Sequence, residues 1–212
     1  MTEFLLNTFI VLVIVIDPVG VAPIFGALTH GSSRQYQLKM AKQGTLLAAL
    51  ILGVFSFAGH LLLNALGISL DAFKMAGGLF LLLLSIDMVF ARQSGLRSTT
   101  EHENEEAEKK ADISVFPIAI PLLAGPGAIT TLLLLMGESK GDLNRVIGII
   151  CVLLFVLILA YVALLYAGRI MKLFGETGTN VISRLLGILL AALAMQFMID
   201  GIIGSFYNIS GS

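Results

Sequence analysis

Three stretches of this chain carry no charged side chain at all: 43–70 between Lys42 and Asp71, 113–137 between Asp112 and Glu138, and 146–168 between Arg145 and Arg169. Each exceeds the ~20 residues with which a helix crosses a hydrocarbon layer of about 30 Å. Such runs leave few options. In lipid every backbone N–H and C=O must be satisfied inside the protein, so long apolar runs fold as spanning helices. Composition agrees: of 212 residues 57% are hydrophobic and 13% charged, against about 45–50% and ~25% in soluble domains. The pattern predicts helices over 4–28, 43–66, 71–91, 113–136, 145–168 and 180–203. That is an all-α polytopic membrane protein with six transmembrane helices, at home in the lipid bilayer of the cell.

Several functions are excluded on the same grounds. The net charge is −1 and no basic stripe suits nucleic acid, so none is expected as a partner. Cys151 is the one cysteine, which leaves no intramolecular disulfide and no thiol pair. Met1-Thr2-Glu3 leads into Phe4 without Lys or Arg, so the first apolar stretch is expected to stay in the membrane rather than be cleaved. There is no P-loop GxxxxGK[ST] and no HExxH zinc motif. An intramembrane enzyme would need a nucleophile with its base, paired aspartates or a metal cluster. The expectation is therefore no enzyme, no cofactor and no metal.

Charge also orients the chain. Loops 29–42, 92–112 and 169–179, with adjoining helix ends, hold Arg34, Lys39, Lys42, Arg92, Arg97, Lys109, Lys110, Arg169, Lys172 and Arg184. The opposite face has Lys74, Lys140 and Arg145. Basic residues mark the cytoplasmic side. Those three loops are thus expected in the cytoplasm of a cell inner (plasma) membrane, with both termini outside. The segment 92–112 is rich in Glu and reads as an acidic cytoplasmic linker between two units, 1–91 and 113–212.

The two units resemble one another. All five prolines fall in two clusters, Pro18 with Pro23 and Pro117 with Pro121 and Pro126, and Pro18/Pro23 repeats the spacing of Pro121/Pro126. Asp71 through Gly78 can be laid over Asn180 through Gly187, which brings Gly78 onto Gly187. Each half has an odd number of spans, so the second crosses in the opposite sense. Two inverted three-helix repeats are a common construction of secondary transporters.

Both proline clusters lie deep in the membrane. Asp17-Pro18-Val19-Gly20-Val21-Ala22-Pro23 begins 13 residues beyond Phe4, roughly 20 Å along a helix. Proline removes a donor and breaks the helical ladder, so helices 1 and 4 are expected to be broken and to face protein or a hydrated cavity. The half-helix starting at Pro126-Gly127 would aim free N–H groups and a positive dipole end at that cavity, a site for a carboxylate. Freed carbonyls of residues 16–20 would suit an ammonium group. Candidate substrate-binding residues are Asp17, Pro18, Gly20, Val21 and Pro23 on one side, and Leu123, Ala124, Gly125, Pro126, Gly127 and Thr130 on the other. An ionised Asp at a helix centre costs roughly 2.5–3.5 kcal/mol on insertion scales. Asp17 can therefore bind an ammonium, carry a coupling proton, or cap the helix after the break. His60 and Asn64, one turn apart, are expected to hydrogen-bond within the bundle. Gly77, Gly78 and Gly187 are expected to allow close helix packing.

The segments Asp17 to Phe25 and Pro121 to Ile129 together resemble the paired signatures of the MarC family of bacterial and archaeal membrane proteins. Ala76-Gly77-Gly78 and Gly178-Thr179-Asn180 through Gly187 are similar to its third and sixth helices. The resemblance covers nearly the whole chain apart from the acidic linker. It implies six helices and, through SnatA-like members, transport of small neutral amino acids such as glycine and alanine, driven by an ion gradient of H+ or Na+. The chain departs from the family pattern in having Val21 where many members have Asn, and Asp17 where some have Asn. The expected function is secondary transport of small neutral amino acids by alternating access around the two breaks. The alternative is an exporter of, or channel for, another small metabolite or drug.

Overall fold

The computed structural model describes residues 1–90, 112–139 and 141–210, and all regular structure among them is helical. The acidic linker lies outside the described residues except for Asp112. The first span is a broken pair, α1 (Thr2–Ile16) and α2 (Pro18–Leu28). α3 (Arg34–Ala65) and α4 (Leu70–Phe90) follow. The next span is again a pair, α5 (Ser114–Leu123) and α6 (Pro126–Glu138), bent by 55°. α7 (Leu143–Leu165) and α8 (Ala167–Ser210) complete the chain. Among the described residues five spans are long and apolar enough to cross a membrane, six if the bent pair is one span.

Each boundary has a local cause. Pro18 cannot donate, and its ring disfavours a helical conformation in the residue before it. Asp17 accordingly takes up left-handed φ 50°, ψ 66°, a region that Asp enters more readily than most side chains. In α5, Phe116 and Ile120, each before a proline, are extended at φ −132° and −126°. The chain there widens into i→i−5 bonding, with Ile118 N donating to Ile113 O at 3.3 Å and Ala124 N to Ala119 O at 2.8 Å. Ahead of it the Asp112 carboxylate accepts from the Ser114 hydroxyl at 2.6 Å and the Ser114 amide at 2.9 Å. Those two bonds hold its carboxyl below the usual Asp range.

Two expected loops are largely helix. The connection placed at 29–42 shrinks to 29–33, because Ser33 caps α3 by accepting from Tyr36 N at 3.2 Å. The connection placed at 169–179 is a continuation of α8, interrupted at Gly175 with φ 64°. Charge in Arg34, Lys39, Lys42, Arg169 and Lys172 suggested loops. These are good helix formers, however, and a helix satisfies its backbone equally well after it leaves the hydrocarbon. Arg34 also spans the bundle, its Nη1 donating to Leu165 O at the end of α7 at 2.8 Å.

Glycines set the helix contacts. A Cβ on Gly78 of α4 would lie 2.7 Å from Ala194 O of α8, and one on Gly187 of α8 would lie 3.2 Å from Ser85 O of α4. The expected packing role of these two residues is therefore observed. Gly77 meets Thr130 of α6, while Gly44 and Gly59 of α3 meet Ile118 and Leu133. α1 and α2 pack on α7, α3 on α5 and α6, α2 on α8, α4 on α6, α3 on α7 and α1 on α6. Leu12, Ile16, Leu52, Leu81, Ile118, Leu122 and Leu132 fill the interior. The outer surface is equally apolar, with Leu46, Leu50, Phe57, Phe155 and Leu185 exposed, as a lipid solvent permits. His60 and Asn64 correct an expectation. Both are exposed on the outer face of α3 near its end, not turned into the bundle.

Candidate functional site

The two breaks sit at mid-span and differ in how their helix ends are satisfied. At the first, Asp17 ends α1 and starts α2: its N–H donates to Val13 O at 2.9 Å and its Oδ1 accepts from Gly20 N at 3.0 Å. Asp17 is 1% exposed. A carboxylate thus rests on the amino end of α2, where the helix dipole favours it. Gly20 is required there, since a Cβ would collide with that carboxylate and approach Ser183 Oγ to 3.0 Å. The carbonyls of residues 16–20 are not all free as expected, because Asp17 O accepts from Val21 N at 3.1 Å. In an unbroken helix Pro18 and Pro23 would occupy the positions that donate to Ile14 and Val19.

At the second break Gly125 occupies the capping position with extended backbone (φ −73°, ψ 170°), Pro126 starts α6, and no side chain caps the end. Ile129 N closes the first turn on Gly125 O at 3.1 Å. The N–H groups of Gly127 and Ala128 precede the helical ladder and have no partner within it. They border a cavity of about 10 Å³ lined by Val15 of α1, Phe80 and Leu84 of α4, Pro121 and Leu122 of α5, and Gly125 to Ala128. One water needs ~10–15 Å³, so the crevice has room for about that much; it is narrow rather than sealed, since Phe80 and Pro126 in its wall are exposed.

Among the expected residues, Gly125, Pro126 and Gly127 line this crevice. Thr130 lies a turn further along α6, 5% exposed, with its methyl against Gly77. Leu123 and Ala124 are buried behind it. Asp17, Pro18, Gly20, Val21 and Pro23 are not part of its wall; Val21 is fully buried in α2. Val15, Phe80, Leu84 and Leu122 escaped the sequence reading because nothing marks a lining Leu or Phe within an apolar run. Ser183 was equally silent.

No three His, Cys, Asp or Glu side chains gather to hold a metal among the described residues. Gly137-Glu138-Ser139-Lys140-Gly141 has the letters of a GxSxG nucleophile elbow. That motif needs a strand-to-helix turn, whereas Ser139 follows the end of α6 and its hydroxyl donates to Met136 O at 2.7 Å.

Long apolar helices, an apolar outer surface and two mid-span breaks define a polytopic helical membrane protein. Comparison with known sequences takes this further: the description MarC family integral membrane protein matches residues 2–206. The chain belongs to the MarC family. It is 33% identical over 206 residues to the UPF0056 membrane protein YvbG of Bacillus subtilis, covering 97% of each chain. It is 36% identical over 191 residues to the UPF0056 membrane protein MJ1677 of Methanocaldococcus jannaschii, covering 90% of this chain and 92% of that one. A UPF0056 membrane protein of Archaeoglobus fulgidus is 37% identical over 202 residues, covering 94% and 92%. No solved structure matches.

Proposed function

We propose that this protein is a secondary transporter of small neutral amino acids, with the substrate carboxylate held on the amino end of α6. The observation that carries this reading is the contrast between two like helix ends. α2 and α6 both start at mid-span with a proline in the first position, but Asp17 caps one and no side chain caps the other. What Asp17 does for α2 in cis, a solute carboxylate does for α6 in trans. Apolar neighbours at Val15, Phe80 and Leu84 suit a solute whose side chain is small and apolar, as in glycine and alanine.

Alternating access around two inverted repeats, 1–91 and 113–212, is supported by the pairing of helices. Exchanging the first, second and third spans with the fourth, fifth and sixth turns most of the larger packing pairs into observed pairs, although α7 on α8 and α6 on α7 have no such counterpart. Contacts of α1 and α2 with α7 become those of α3 with α5 and α6, and α2 on α8 becomes α4 on α6. A frame of this kind has two arrangements of equal merit. The crevice is narrow, and rocking of the halves widens it for a solute. The charge count, ten basic residues against three, supports a topology with both termini outside the cytoplasmic membrane.

Purified protein in liposomes should accumulate labelled glycine and alanine when a proton or sodium gradient is imposed. Absence of uptake, efflux and exchange under every gradient would overturn the reading.

A further inference from the structure

Hydroxyl groups inside these helices mostly bond to their own backbone. Thr29 donates to Phe25 O at 2.8 Å, Ser56 to Leu52 O at 2.7 Å, Ser85 to Leu82 O at 2.7 Å and Thr179 to Gly175 O at 2.7 Å. This is the ordinary refuge of Ser and Thr in lipid. Thr8 and Thr131 do not take it. Both are 0% exposed, and neither hydroxyl has a hydrogen-bond partner among the described residues. A buried hydroxyl left so bears its desolvation cost with nothing in return, which invites the question of what it is kept for.

Their placement answers it. α1 and α6 meet beside α4 at Gly127, where a Cβ would be 3.0 Å from Leu81 Cδ2, 3.3 Å from Leu84 Cδ2 and 3.7 Å from Val15 Cγ1. From that level the two helices run to the same face of the bundle. Gly148, just beyond the end of α6 and early in α7, packs on Leu5 near the start of α1. Thr8 is seven residues from Val15 and Thr131 four from Gly127, so each returns to within about 40° of the contact face. They stand roughly 10 and 6 Å above the crevice, about one helical turn apart in height. Gln43 and Thr45, whose side-chain oxygens are also unpartnered among the described residues, flank Gly44 where α3 meets α5, away from the contact of α1 with α6.

We propose that the α1–α6 seam is the permeation route between the crevice and the face where α6 ends, and that Thr131 and Thr8 are its hydrogen-bonding steps for a small polar solute and the water around it. The assignment rests on the transport reading above and adds a path to it. The hydroxyls are spaced for hand-over: a solute leaving the amino end of α6 meets Thr131 within one turn and Thr8 within the next.

Thr8→Val and Thr131→Val keep shape and remove only the hydroxyl. The double variant should lose at least tenfold in alanine uptake by liposomes, with a melting temperature equal to or above the parent's. Simple packing residues would give unchanged uptake, and that result overturns the proposal. Independently, in a Cys151→Ser background, Thr131→Cys and Thr8→Cys should react with a small water-soluble thiol reagent added from the α6-end face. Leu132→Cys, fully buried on another side of α6, should not. Lack of reaction at both threonine positions, or equal reaction at 132, also overturns it. Should the parent carry neither glycine nor alanine, the labelling alone decides: reaction at 8 and 131 keeps the route and discards the substrate, and no reaction discards both.

Discussion

Gly78 and Gly187 hold reciprocal positions: each sits against the main chain of the helix that carries the other. A Cβ on Gly78 would come within 2.7 Å of Ala194 O, and one on Gly187 within 3.2 Å of Ser85 O. Larger side chains at either site must part α4 from α8, along with Gly201, whose Cβ would approach Asp71 O to 2.6 Å. Overpacking of a filled interface costs about 1–3 kcal/mol. Gly78→Val and Gly187→Val should each lower the melting temperature in detergent by a comparable amount. Gly53→Val, which has open space around it, should not. Unequal effects at 78 and 187 would remove the equivalence of the two helices.

Asp17 separates three roles by substitution. Asn keeps the capping oxygen and tolerates the left-handed backbone, so Asp17→Asn should fold, bind and accumulate substrate as the parent does. Ala loses the cap and strains at φ 50°, for a combined cost of about 2 kcal/mol in unfolding. Accumulation lost with exchange intact in Asp17→Asn would instead assign it a coupling proton. Weakened binding in Asn, and more so in Ala, would assign it the substrate ammonium.

The amino end of α6 is tested by Gly125 and Pro126. A Cβ on Gly125 would lie 2.5 Å from Pro121 O, so Gly125→Leu both displaces α5 and fills the crevice. Pro126→Ala restores a donor and relaxes the fixed φ at the first position. Both should weaken glycine binding by tenfold or more while the protein remains inserted. Parental affinity in both variants places the substrate elsewhere.

Sidedness is checked with cysteines in a Cys151→Ser background. Thr2→Cys and Ser210→Cys should react with an impermeant thiol reagent applied to intact cells, and Thr99→Cys should not. Reaction at 99 alone reverses the orientation.

The spans and both breaks were legible because apolar length and proline are strong, local signals. Pro18 and Pro126 announced where α2 and α6 begin to within a residue. Helix ends at the membrane surface were not: Ser33 caps α3 well before its apolar run, and no pattern separates a charged loop from a charged helix extension. The crevice was half legible. Gly125 to Gly127 follow from the break, but Phe80 and Leu84 come from a helix whose facing side depends on how Gly77 seats Thr130. Thr8 and Thr131 look like any threonine in sequence, since their distinction is a bond they do not make.

The Asp17 cap also bears on counting. A frame built from two like halves offers two like anion seats, and two would ordinarily mean two solutes per chain. With the Asp17 carboxylate on one of them, the proposed transporter would carry one solute per chain.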